Sequence, residues 1–206
     1  MRREIFLIYV CVIGTASLLY RFRELSWLGA NLRWIAALLL FYVPLLHNRL
    51  RTLSLPFFES DRQGFFHSLK IFLFAALLIF PLFLVGNHFY QTVIWSRSFN
   101  PSLPDRFGSL LLLQVALIAL PEEVFFRGWL QGLIRKNRGP LASILITSLI
   151  FAFSHSVIAM QWWHFAIFFP GSVFGWLREK TGAVTASVVF HTVSNLLVVW
   201  IQGSYR

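Results

Sequence analysis

Glu122 and Glu123 stand side by side with Arg127 four residues on, all within an apolar run that extends from about 107 to 133. Two later apolar runs carry His155, at the end of Phe151-Ala152-Phe153-Ser154-His155, and His191 with Asn195 four residues beyond it. A carboxylate can take a proton from water, an imidazole can relay one, and amide or guanidinium donors can hold the charge that grows on an attacked carbonyl oxygen. Together these groups are equipment for hydrolysis. They are also costly, because a charged residue near the centre of a membrane helix costs roughly 2.5–3.5 kcal/mol while a Leu or Phe returns only about 0.3–0.6.

On a helix, residues four apart share a face, so Glu123 and Arg127 can pair while Glu122 points about 100° away. Pairing neutralises one carboxylate and leaves Glu122 to serve as a general base. An ion pair that only holds the bundle together is the plainer alternative, but it leaves one acid over. Pro121 has no N–H and releases the carbonyl of Leu117, so the helix is expected to be kinked or widened just before the acids. Taken singly, His155 is more often a satisfied core or interfacial residue. His191 and Asn195 alone could be interhelical hydrogen-bonding glue, worth about 0.6 kcal/mol. Counting about 1.5 Å per residue from the cation clusters puts Glu122 and His155 roughly 20 Å deep and His191 roughly 13 Å or more, so the three can meet near mid-membrane.

The elements that must position them are apolar helices. The chain has 206 residues, 57% of them hydrophobic and 13% charged, which is more apolar surface than a soluble core of this length could hide. The reading is an all-α integral membrane bundle in a single domain, with about seven spans near 5–20, 26–46, 69–90, 107–133, 141–158, 162–177 and 183–201. Residues 1–106 form peripheral spans and loops, and 107–201 a four-helix catalytic core. Net charge +10 would suggest nucleic acid in a soluble protein. Here the cations gather between apolar runs, which argues against it. Cys11 is the single cysteine and can form no intramolecular disulfide, so packing or lipid contact is its expected role.

A cytoplasmic amino terminus places Arg2, Arg3, Arg49, Arg51, Arg62, Lys70, Arg135, Lys136, Arg138, Arg178 and Lys180 inside and Arg21, Arg23, Arg97, Arg106 and Arg206 outside, with Arg33 and Arg127 in spans. That bias favours the cytoplasmic amino terminus and an extracytoplasmic carboxyl terminus. The 49–70 connection, rich in Phe and charge, suits a segment lying at the lipid boundary, and 91–106 an irregular interfacial loop. Trp27, Trp95, Trp129, Trp162, Trp163, Trp176 and Trp200 are expected mostly in an aromatic belt. His47, His67, His88 and His164 are expected in interfacial solvent, and Gly171 and Gly175 are expected to allow close helix approach. Gly182 is expected to cap the helix before it.

Glu122-Glu123-x-x-x-Arg127, Phe151-x-x-x-His155 and His191-x-x-x-Asn195, in this order on successive apolar segments, resemble the CAAX protease and bacteriocin-processing family of intramembrane endopeptidases. The resemblance extends through Gly171, Gly175 and Thr181-Gly182 and covers about half the chain, roughly 107–201. It implies a glutamate-type endopeptidase without a cofactor, in which Glu122 and His155 activate water, Glu123 is the supporting acid, and Arg127, His191 and Asn195 orient the site or stabilise the oxyanion. The implied partners are the bilayer and a membrane-anchored protein or peptide, with a carboxyl-terminal sorting tail preferred. The implied location is the inner membrane of a bacterium. A zinc-dependent protease of the same fold is the alternative, because a His2Glu set with an open position is a known zinc arrangement, although the His-Glu-x-x-His helix is absent. A non-catalytic scaffold or immunity protein would be expected to lose its buried charges first, and a proton-coupled transporter would be expected to show inverted symmetry.

Overall fold

The computed structural model describes residues 2–53 and 55–206. Met1 and Ser54, which fall in the charged amino-terminal end and the 49–70 connection, lie outside the described residues. Seven helices follow one another: α1 (Arg2–Arg21), α2 (Ser26–Leu50), α3 (Arg62–Phe89), α4 (Phe107–Arg135), α5 (Pro140–Ala159), α6 (Phe168–Thr181) and α7 (Thr185–Ser204). Local chemistry sets their ends. The Asp61 carboxylate accepts from the Gly64 N–H at 2.6 Å and caps α3. Pro140 stands in the first turn of α5, where its missing N–H costs nothing. Gly182, at φ +77°, closes α6 by donating to the Arg178 carbonyl.

Among the described residues, six helices are long and apolar enough to cross a bilayer: α1, α2, α3 with its π-helical extension to Ile94, α4, α5 and α7. The expected span at 162–177 is different. α5 ends at Met160 in the left-handed region, a 3-10 turn covers Trp162–Ile167, and only the 14 residues of α6 are α-helical. α6 packs against both α5 and α7 and returns the chain between them without being a full span itself. α3 faces outward nearly all round, burying only Ser68 and Ala75 and exposing Leu77, Leu82 and Val85. That surface suits acyl chains rather than water.

The 49–70 connection does not simply lie on the surface. Leu55 and Phe57 are buried, the Phe57 carbonyl accepts from the Val184 N–H at 2.9 Å, and Glu59 accepts from the hydroxyls of Ser68 and Thr185. The chain turns inward here because Gly128 leaves room for the Phe57 ring, which a Cβ at that position would strike. In the 91–106 stretch, Ser98 and Asn100 pair with Arg206 and Ser204 around an isolated Phe99–Tyr205 bridge. Trp129 is not part of a belt. It is fully buried and donates from Nε1 to His47 Nδ1 at 3.0 Å, so His47 is a core residue rather than a solvated one.

Candidate active site

α4 presents the two carboxylates and is widened around them. It is π-helical over Gln114–Ala119, α-helical over Leu120–Glu123 and π-helical again over Val124–Gln131. The first of these stretches ends just before Pro121, whose ring displaces the backbone of the preceding turn. Glu122 and Glu123 then face different surroundings.

Glu123 faces inward. It and Arg127 are both fully buried, with Arg127 Nη1 3.3 Å from Glu123 Oε1. The same oxygen accepts from His191 Nδ1 at 2.9 Å. Arg127 Nη2 donates to the Gly171 carbonyl at 3.0 Å, and its guanidinium lies over the Phe151 ring, 4.1 Å from the centroid. A Cβ at position 171 would come within 3.2 Å of both groups, so glycine permits this approach. Two further rungs join α4 to α6: Gln131 donates to the Gly175 carbonyl at 2.9 Å and Arg135 to the Glu179 carboxylate at 2.7 Å. Both helices advance four residues per rung in the same direction, so they run parallel.

Glu122 faces a cavity of about 520 Å³ bounded by α3 to α7. His155, His191 and Asn195 line the same cavity, whereas Glu123 and Arg127 lie behind its wall. Glu122 Oε2 is 3.8 Å from His155 Nε2 and 3.9 Å from His191 Nε2. Hydrogen bonds at Nδ1 orient both rings. His155 Nδ1 must be protonated to donate to the Phe151 carbonyl at 2.9 Å, and His191 Nδ1 donates to Glu123. The Phe174 ring stacks on His191 at 4.6 Å. Both Nε2 atoms are thereby directed at one carboxylate oxygen across gaps too wide for direct hydrogen bonds, a spacing that a bridging water can span.

Several members of the site do not stand out in the sequence. Asn195 Nδ2 donates to Gln114 Oε1 at 2.9 Å, so the buried Gln114 fixes the amide from two turns before Glu122. His164 Nδ1 donates to the His155 carbonyl at 3.1 Å. Gln114 and Gln131 did leave a signal, as lone amides in an apolar helix where each unsatisfied polar group is costly.

Among the described residues, no group of three or more His, Cys, Asp or Glu side chains is arranged to hold a metal ion. Glu122, His155 and His191 have the donor chemistry for zinc, but ligands on a tetrahedral zinc at 2.0–2.1 Å lie about 3.3–3.4 Å apart. The separations here are 3.8 and 3.9 Å.

An apolar bundle closed round a carboxylate, two imidazoles and an amide defines an integral membrane protein with a buried polar centre. Residues 104–197 match the family model described as type II CAAX prenyl endopeptidase Rce1-like. The matched stretch, slightly under half of the chain, is similar to an Rce1-like domain and holds all six residues singled out in the sequence. No curated protein and no solved structure matches the chain.

Proposed function

We propose that the protein is an intramembrane endopeptidase of glutamate type, hydrolysing a peptide bond of a membrane-associated protein or a carboxyl-terminal sorting tail. The observation that carries this reading is the convergence of two imidazole Nε2 atoms on Glu122 Oε2 in the wall of an apolar cavity. Water held between Glu122 and His155 attacks the scissile carbonyl carbon as Glu122 takes its proton. The new C–O bond places negative charge on the former carbonyl oxygen, and Asn195 lies on the cavity wall where its amide can stabilise it, as does His191 when Nε2 also carries a proton. Collapse breaks the C–N bond, and the proton on Glu122 passes to the departing amine. Arg127 acts by orienting Glu123, which in turn holds the His191 ring.

The apolar lining suits the hydrophobic part of a membrane substrate entering from the bilayer. The amino terminus is placed in the cytoplasm and the carboxyl terminus outside, on the distribution of cations. A membrane of bacterial type is the setting we favour.

Purified protein in bicelles, offered a membrane peptide with a candidate tail, should cleave it. Glu122→Gln and His155→Ala should each abolish cleavage while the protein still inserts and accumulates. The double variant should lose no more than either single one, because the two groups act as a unit. Near-normal cleavage by Glu122→Gln would overturn the assignment.

A further inference from the structure

A second cavity, of about 280 Å³, lies on the other side of Glu122 and His155, and these two residues line both chambers. Its remaining walls come from α1, α2, α5, Phe126 of α4 and His164. The two chambers differ in kind. The larger is apolar apart from Ser194 and the groups described above, whereas the smaller has Arg33 of α2 in its wall. Arg33 stands in the apolar run of α2 with its side chain exposed, and among the described residues it has no hydrogen-bond or ion-pair partner. Nearer the ends of the same helix pair, Arg23 contacts Glu24 and the Tyr20 ring, and Arg51 pairs with Glu4. Arg33 is also outside the residues that match the family model, so its position belongs to this chain's own peripheral helices.

We propose that this smaller chamber is the subsite for the carboxyl-terminal end of the substrate, with Arg33 pairing with its free α-carboxylate; this rests on the endopeptidase reading above. A peptide bond poised at Glu122 and His155 has a chamber on either side of it, one to receive each flank. A protonated amino terminus would be repelled by Arg33, and a carboxylate can accept two parallel N–H bonds from a guanidinium. That sets the direction of the chain, from the large chamber past Glu122 to Arg33. Size sets its form. One turn of helix, 5.4 Å long and 10–12 Å across, occupies roughly 400–600 Å³. The larger chamber holds about one turn, and the smaller holds only an extended tail of a few residues.

The test uses a synthetic peptide with a membrane-spanning apolar helix and a short polar tail, made as the free acid and as the carboxamide and labelled at the amino end. Binding is measured in bicelles by fluorescence anisotropy on the Glu122→Gln protein, which prevents turnover. The acid should bind about tenfold more tightly than the amide, the preference of one charge-assisted contact. Adding Arg33→Gln should bring the ratio to about one, and Arg33→Lys should keep part of it. Equal binding of the two peptides, no binding of either, or a preference that survives Arg33→Gln overturns the subsite. Cleavage is read separately on protein with Glu122 intact. If Arg33-dependent binding holds and no peptide is cut, the subsite stands and the endopeptidase reading fails; if both peptides are cut equally and bind equally, the reverse is true.

Discussion

Replacing Glu123 with Gln removes one charge from a pair that no water reaches, since Glu123 and Arg127 are both fully buried. At 3.3 Å and an effective dielectric constant of about 20, their attraction is roughly 5 kcal/mol. The Gly171 carbonyl and the Phe151 face remain to Arg127 and offset part of the loss, a cation over a buried ring contributing up to about 2 kcal/mol. The expected destabilisation of Glu123→Gln is therefore about 3–5 kcal/mol, the range found when one partner of a buried pair is removed. It should be visible as reduced accumulation in membranes and as an earlier transition in a denaturant titration in mixed micelles. Adding Arg127→Met removes the orphaned cation as well, so the double variant should recover most of the accumulation. Gln can still accept from His191 Nδ1, yet activity should stay low because the ring is no longer held by a charged acceptor. Unchanged accumulation and stability in Glu123→Gln, or a double variant less stable than the single one, would refute this account.

Exhaustive chelation should leave the cleavage rate unchanged and purified protein should contain zinc well below one atom per chain; activity that tracks zinc occupancy would recast His155 and His191 as ligands. A reporter fused after Arg206 should be extracytoplasmic and one inserted within 135–138 cytoplasmic, and the reverse labelling would sink the orientation. Gln114→Leu should lower kcat by about tenfold or more at nearly unchanged expression, because Asn195 loses the acceptor that orients it, the loss of one positioned donor costing about 10²–10³ at most. An unaltered kcat would remove Asn195 from the account of the oxyanion.

Local spacing made much of this arrangement legible. Four-residue separation puts Arg127 against Glu123, and the missing N–H of Pro121 foretells the widened helix beside it. Residue counts put Glu122 and His155 at one depth with His191 able to meet them, and the structure sets both rings within 4 Å of Glu122. What stayed hidden depends on rotation and distance. That His191 bonds to Glu123 rather than only to Glu122 depends on how the widened α4 turns each carboxylate, and helical periodicity assumes a regular turn. The inward path of Phe57 depends on a gap at Gly128, 71 positions away, which no local pattern records. His47 read as interfacial because it lies near a helix end, yet its partner Trp129 comes from another helix. The short sixth helix read as a full span because hydropathy cannot distinguish six residues of 3-10 helix from α-helix.

The three rungs between α4 and α6 act as a vernier. A slip of one helical turn would still offer Arg127 and Gln131 an acceptor, at the Gly175 carbonyl and the Glu179 carboxylate, but would carry Arg135 away from Glu179, so that ion pair fixes the register. Sliding along that seam costs the Arg135–Glu179 pair, which keeps Glu123 of α4 and the Gly171 carbonyl of α6 in one register. α3 has no such toothing: it contributes Ile79, Phe80 and Phe83 to the large chamber and buries little of itself. Its polar ties lie at its two ends, through Glu59 to Ser68 and Thr185 and through His88 to Tyr205, so the stretch of α3 that walls the chamber is held by apolar contact alone, such as the Phe80 ring on Phe190.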